Sequence, residues 1–221
     1  AEELQNGFMV APIELIGDRR QTSIKPSFYS GTTQTVWPPR LTQKVERGYF
    51  DPLKITDAQL RSFANVPPRE SPLFKLPRLK RYVYALRWSL ARAQSVEKIT
   101  TELYQELSPE VVLAYFQCSD SLLHRFWIFQ ESEAAIAQRL SGHGISTEFV
   151  SELKRRFGNV VKGCYRDLDE RVGRLLDEMA GPNTLVLLTS DHGFGPASVP
   201  HRMKDEPYSG NHRDDGVVIA A

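Results

Sequence analysis

The hydrophobic pattern divides this 221-residue chain into an N-terminal stretch with little periodicity and a longer stretch in which apolar residues recur regularly. Residues 1–77 are rich in proline, threonine and serine, and this composition predicts an irregular, cap-like segment. Within that segment, Thr56 followed by Gln59 predicts a capping box at the start of a short helix. From Leu79 to Leu107 an apolar stripe at helical spacing, opposite basic residues, predicts one long helix with a solvated basic face.

After Pro109 short apolar runs alternate with helical patterns. The run VVLAYF (111–116) predicts a strand buried on both faces, TLVLLTSD (184–191) predicts the next strand and GVVIAA (216–221) predicts the last one. A second long helix is predicted over Asn159–Met179, because its apolar residues fall on one stripe, namely Val161, Tyr165, Leu168, Val172, Leu175 and Met179. Residues 131–158 predict a helical insertion. Strands and helices in this order predict an α/β fold with a mostly parallel sheet flanked by helices.

The division into segments predicts one domain in which residues 78–221 form the α/β core and residues 1–77 belong to the same unit. The chain begins with alanine, and its last residues stop within a predicted strand. These two features predict that the chain is a piece of a longer protein.

Charge and cysteine content narrow the class of partner. Lys and Arg number 28 against 27 for Asp and Glu, which argues against a nucleic acid or an anionic membrane bound by bulk charge. No apolar run reaches the length of a transmembrane helix. The two cysteines, Cys118 and Cys164, have core-like neighbours and predict buried thiols, which favours a reducing compartment such as the cytoplasm.

Groups that can bind a metal lie directly after the predicted strands. In an open α/β sheet, ligands bind beyond the carboxyl ends of the strands, so polar residues at that edge indicate a site. Asp120 and His124, four residues apart, follow the first predicted strand, and they project from one face of a helix. Asp191 and His192 follow the second strand, and His212 lies in a glycine-flanked loop before the third.

Together these five residues predict a centre with two divalent cations. Each alone has an ordinary alternative, either a surface Asp–His pair one turn apart or a structural histidine. Mixed nitrogen and oxygen donors suit zinc or manganese better than calcium. Two such cations about 4 Å apart clamp a phosphate ester and stabilise its leaving oxygen. A small-molecule phosphate ester is therefore the predicted substrate.

Three segments resemble the metal-binding motifs of the type I phosphodiesterase and nucleotide pyrophosphatase family, within the alkaline phosphatase superfamily. They are YFQCSDSLLHRFW, LVLLTSDHGFGP and GNHRDDGVVIA, and they span about Pro109 to Ala221. Two further segments, GFMVAPI and VWPPRL, resemble more weakly the segments that follow the nucleophile region in this family. The resemblance implies an alkaline-phosphatase-like fold and a phosphate ester or nucleotide substrate. It further implies that one metal is held by Asp120, His124 and His212, with Asp191 and His192 contributing to the other.

The resemblance also implies parts that the sequence does not match. Family members carry a metal-binding Asp on the first strand and a Thr or Ser nucleophile at a helix start, and both are expected upstream of residue 1. The resemblance therefore implies that residues 78–221 are the C-terminal part of a larger catalytic domain. His143 and His201 are predicted not to be metal ligands. The alternatives to a hydrolase are an inactive relative that keeps the metals, another superfamily enzyme such as a sulfatase or phosphomutase, and an α/β scaffold without metal.

Overall fold

The computed structural model describes residues 9–10, 36–67, 71–75, 77–140, 147–203 and 206–221. Its helices are α1 (Thr42–Gly48), α2 (Asp57–Leu60), α3 (Pro77–Leu107), α4 (Cys118–Phe126), α5 (Glu133–Leu140), α6 (Thr147–Phe157) and α7 (Val160–Met179). Its strands are β1 (Met9–Val10), β2 (Val36–Trp37), β3 (Leu187–Thr189), β4 (Gly193–Met203), β5 (Glu206–Arg213) and β6 (Val218–Ala220). The described residues therefore form an α/β structure in which helices predominate. Among them, no helix is both long and apolar enough to cross a membrane.

The long helix α3 confirms the apolar stripe read from the sequence. The residues of that stripe are all buried, namely Leu79, Tyr82, Val83, Leu86, Leu90 and Ala93. The predicted solvated basic face is confirmed only in part. Arg87 on that face is buried, and it donates hydrogen bonds to the carboxylate of Asp57 and to the carbonyl of Ile55. The predicted capping box of α2 is present, since Thr56 and Gln59 each accept the other's backbone N–H.

The core lies where α3 packs against α4, α6 and α7. The ring of Tyr82 on α3 contacts those of Phe126, Phe129 and Phe157, with centroids 5.3 to 5.4 Å apart. All three phenylalanines are almost completely buried. This aromatic cluster fixes the position of α4, which ends at Phe126 and carries Asp120 and His124 on its outer side.

Helix α7 has nearly its predicted bounds, but its buried face is rotated from the predicted stripe. Val161 and Leu175 are buried as expected, whereas Tyr165 is half exposed. Cys164 and Arg171 are buried in its place, because the guanidinium of Arg171 bonds carboxylates and so satisfies its charge. The predicted insertion at 131–158 contains α5 and α6, as expected for a helical segment.

The parallel sheet is not seen in the part of the chain that the structure describes. There the strands form three antiparallel pairs, β1 with β2, β3 with β6, and β4 with β5. The hairpin β4–β5 reverses the chain between β3 and β6, so β6 returns antiparallel to β3. The predicted strand at 111–116 was wrong, because this run forms neither helix nor strand and Leu113 is 93% exposed. A strand needs a hydrogen-bonded neighbour, and none pairs with these residues among the described ones.

Glu97 on α3 joins that helix to α7, and its loss is expected to destabilise the fold. It accepts hydrogen bonds from Arg171 and Arg174. Burial favours a higher pKa for Glu97, but the hydrogen bonds and charges of Arg174 and Arg171 outweigh it and lower the pKa. The stabilisation is therefore complete above the unfolded pKa of about 4.3, and it is lost as pH falls through the lower folded pKa.

Glu97→Gln should lower the free energy of unfolding by about 1–3 kcal/mol at pH 7, the contribution of hydrogen bonds to a charged group. The loss should shrink at pH 3, because this pH lies below the unfolded pKa and protonation of the unfolded chain already removes part of the stabilisation. Urea unfolding at both pH values measures the difference. Glu102→Gln is the control, since Glu102 on the same helix makes an exposed pair with Lys98 at 3.8 Å. Equal effects of the two variants would contradict this role for Glu97.

Candidate metal centre

Helix α4 presents two candidate ligands on one face. Asp120 lies in its first turn and His124 one turn later, while Leu122, Leu123 and Phe126 face the core. This spacing places the Asp120 Oδ1 and His124 Nε2 atoms 3.3 Å apart. Both side chains are partly buried, so they are held in place and still reachable from solvent.

The strands bring the other candidates to this face. His212 on β5 pairs across the hairpin with Phe194 on β4, and β5 contacts α4. The Nε2 atom of His212 lies 3.0 Å from Asp120 Oδ1 and 3.1 Å from His124 Nε2. His192, just before β4, stacks its ring on that of His212 at a centroid distance of 3.6 Å. Its Nε2 atom lies 3.9 Å from Asp120 Oδ1.

The donor set and its geometry fit a metal ion. Ligands about 2.0–2.1 Å from a tetrahedral zinc lie about 3.3 Å from each other. The contacts among Asp120, His124 and His212 span 3.0 to 3.3 Å. One ligand atom each from Asp120, His192 and His212 also lie within 4.8 Å of one another. These four residues therefore form a compact set of donors for a cation.

Backbone carbonyls hold two of the imidazoles with Nε2 directed into the centre. His124 Nδ1 donates to the carbonyl of Gly210 at 3.0 Å, and His192 Nδ1 donates to that of Gly193 at 2.9 Å. A neutral ring protonated at Nδ1 has its lone pair on Nε2, which is the form that binds a metal. Each of the two rings, when neutral, therefore presents Nε2 as its ligand atom.

The charges within this cluster shift two pKa values. The hydrogen bond from His124 is the largest cause that lowers the pKa of Asp120, and His212 adds to it against the effect of burial. For His124, burial favours a lower pKa, but hydrogen bonds to Asp120 and Gly210 outweigh it and raise the pKa. The Asp120 carboxylate thus compensates positive charge at the centre.

Asp191 lies at the edge of the cluster. Its side chain is 75% exposed, and its Oδ1 atom is 3.7 Å from His192 Nε2. The five residues named from the sequence are therefore neighbours, with Asp191 joined to the others through His192. Of the two other histidines, His143 lies outside the described residues. His201 lies in β4, and its side chain is not described.

Sequence patterns missed a tyrosine beside these carboxylates. Tyr115 belongs to the run at 111–116 that was read as a buried strand, yet its ring is mostly exposed. Burial of part of the phenol raises its pKa, and the charges of Asp191 and Asp120 raise it further. The phenol is therefore close enough to the centre to sense both carboxylates. The sequence could have indicated this tyrosine, because Tyr115 lies only five residues before the predicted ligand Asp120.

Comparison with known proteins identifies the family to which these motifs point. The family model described as type I phosphodiesterase / nucleotide pyrophosphatase matches residues 20–218. No curated protein and no solved structure matches the chain at a significant level. The resemblance read from the three motifs is thereby confirmed, and it extends well upstream of them.

Proposed function

This chain belongs to the type I phosphodiesterase / nucleotide pyrophosphatase family, and we propose that it carries the metal-binding part of a hydrolase that cleaves phosphate esters through two divalent cations. Enzymes of this family act on small phosphate esters and nucleotides and depend on metal. The observation that supports the proposal best is the contact of Asp120, His124 and His212 within 3.3 Å. Zinc suits this mixture of imidazole and carboxylate donors, and manganese is the second choice.

In this proposal the five residues divide between two cations. Asp120, His124 and His212 hold the first, and His192 and Asp191 contribute to the second. His192 lies between the two groups, 3.9 Å from Asp120 and 3.7 Å from Asp191. When bound, the cations neutralise the phosphate oxygens and stabilise the leaving oxygen.

The protein groups then have separate tasks. The carboxylate of Asp120 offsets the charge of the cations, and the carbonyls of Gly210 and Gly193 keep two imidazoles in the ligand tautomer. A Thr or Ser hydroxyl attacks phosphorus, the ester oxygen leaves, and water later releases the phosphoryl or nucleotidyl group. We propose that this hydroxyl and a further carboxylate ligand come from a segment upstream of residue 1.

Exposed apolar side chains on the runs that flank the candidate ligands support such a segment. Val111, Leu113, Leu187 and Val218 are each more than half exposed, and they belong to the three runs that the sequence predicts as strands. Exposed apolar side chains on two paired strands, as on β3 and β6, indicate a face that another element covers. An upstream strand beside these runs explains both their composition and their exposure.

Metal analysis and hydrolysis assays test the proposal. The 221-residue chain and a chain extended upstream are dialysed with zinc or manganese, and bound metal is counted. Both are then assayed with p-nitrophenyl phosphate and its bis-ester.

We expect about one metal and little turnover for the shorter chain, with two metals and rapid turnover for the longer one. Metal without turnover in the longer chain would favour an inactive relative, and the absence of bound metal would refute the proposal. Equal turnover by both chains would place the whole active site within residues 1–221.

A further inference from the structure

The ring of Phe194 packs against the imidazoles of the candidate centre. It meets His124 edge to face at 4.9 Å and His212 at 5.6 Å, and it lies 6.1 Å from His192. On another side it packs against Trp127, 5.9 Å away, and through it against the main core. A flat, rigid side chain between the core and three candidate ligands restricts how those ligands rotate.

Gly210 is the point at which β5 lies against α4. A Cβ atom built on this residue would lie 2.5 Å from the carbonyl oxygen of Leu123, and it would overlap the ring of Phe194. Because no side chain intervenes, the carbonyl of Gly210 reaches His124 Nδ1 at 3.0 Å. Gly210 is itself buried, and the carbonyl oxygen of Leu123 belongs to the backbone of α4, so it cannot turn aside as the end of a flexible side chain can.

The geometry points to Gly210 and Phe194 as a positioning pair that sets the affinity of the centre for its metal, an inference that rests on the proposed function. Gly210 fixes the tautomer and direction of His124 through its carbonyl, and Phe194 fixes the tilt of His124 and His212 through its ring. His212 and Gly210 are two residues apart on β5 and therefore face the same side, toward Phe194. The pair thus ties two ligands on separate elements to one rigid support.

The expected effect is a loss of metal affinity that exceeds the loss of fold stability. Removing a hydrogen-bonding partner behind a metal ligand costs about 10- to 100-fold in metal affinity. Gly210→Ala should weaken zinc binding by about that factor, because the added methyl group pushes β5 away from α4. Phe194→Leu keeps most of the apolar volume but removes the flat ring, and about a tenfold loss is expected from it by the same comparison.

Two matched variants separate positioning from general damage to the fold. Gly173→Ala is the control for Gly210→Ala, since a Cβ at Gly173 on α7 meets nothing within 4 Å. Phe149→Leu is the control for Phe194→Leu, because Phe149 on α6 is also partly buried against the main core. Zinc affinity is measured for all four variants and the wild type by competition with a chromogenic chelator. Thermal unfolding without metal reports their stability.

A second measurement needs no metal. Nitrogen-15 NMR of the metal-free imidazoles should show His124 protonated at Nδ1 in the wild type and in both controls. The Nδ1–H signal should shift or exchange faster in Gly210→Ala. If Gly210→Ala fails to fold, the comparison of Phe194→Leu with Phe149→Leu decides.

The inference is overturned if the folded variants bind zinc as tightly as their controls, or if the His124 signal is unchanged in Gly210→Ala. A wild-type chain that binds no zinc would instead refute the proposed metal centre. In that event the NMR comparison alone still decides whether Gly210 holds the His124 ring.

Discussion

Replacing Asp120 by alanine is expected to weaken zinc binding more than any other single change in the candidate centre and, under the proposed function, to abolish hydrolysis of phosphate esters. Its Oδ1 atom lies 3.0 Å from His212 Nε2, 3.3 Å from His124 Nε2 and 3.9 Å from His192 Nε2. Without it, three imidazoles face one another, and the only carboxylate left in the cluster is that of Asp191, which is 75% exposed and 3.7 Å from His192. The loss should exceed the roughly 100-fold that marks the upper range for a hydrogen-bonding partner behind a ligand.

Zinc competition with a chelator measures the effect of Asp120→Ala. Asp120→Asn should fall between the variant and the wild type, because an amide oxygen still coordinates but carries no charge. Asp177→Ala is the control, since Asp177 is an exposed carboxylate on α7. Zinc affinity within about tenfold of the wild type in Asp120→Ala would show that the metal is held elsewhere.

The helices were predictable because their signals are local. The stripe from Leu79 to Ala93 predicts α3, and the capping residues Thr56 and Gln59 predict α2. Each signal lies within a few turns of the chain and needs no knowledge of distant residues. The buried Arg171 on α7 departs from this rule, because its burial depends on carboxylates from two helices.

The strand arrangement was not predictable in the same way. The apolar runs at 184–191 and 216–221 were correctly read as strands, yet their local pattern carries no direction. The direction follows from the hairpin β4–β5 between them, which makes β3 and β6 antiparallel. Val111–Phe116 has the composition of a strand, but a strand forms only where a partner supplies hydrogen bonds.

The residues of the candidate metal centre were predictable from residue type, whereas the residues that support them were not. Asp120, His124, Asp191, His192 and His212 carry recognisable metal-binding groups, and the structure brings them together. Gly210 and Phe194 carry no such group. Their contacts with His124 depend on how closely β5 approaches α4, a distance that no local pattern contains.

Phe126→Ala is expected to have the largest effect on stability, about 3–5 kcal/mol, as for other buried phenylalanines truncated to alanine. Phe126 is fully buried, and its ring contacts those of Tyr82, Phe157 and Phe129. A cavity there loosens the end of α4, and this helix carries both Asp120 and His124.

Urea unfolding without metal measures the loss in Phe126→Ala. The control is Leu176→Ala on the exposed side of α7, whose free energy of unfolding is expected within about 0.5 kcal/mol of the wild type. Zinc at 100 times its dissociation constant should restore about 2.7 kcal/mol, because the metal binds the folded chain only. A loss below about 1 kcal/mol would show that the aromatic cluster does not stabilise this fold, since truncation of a packed phenylalanine leaves a cavity that the surroundings cannot fill.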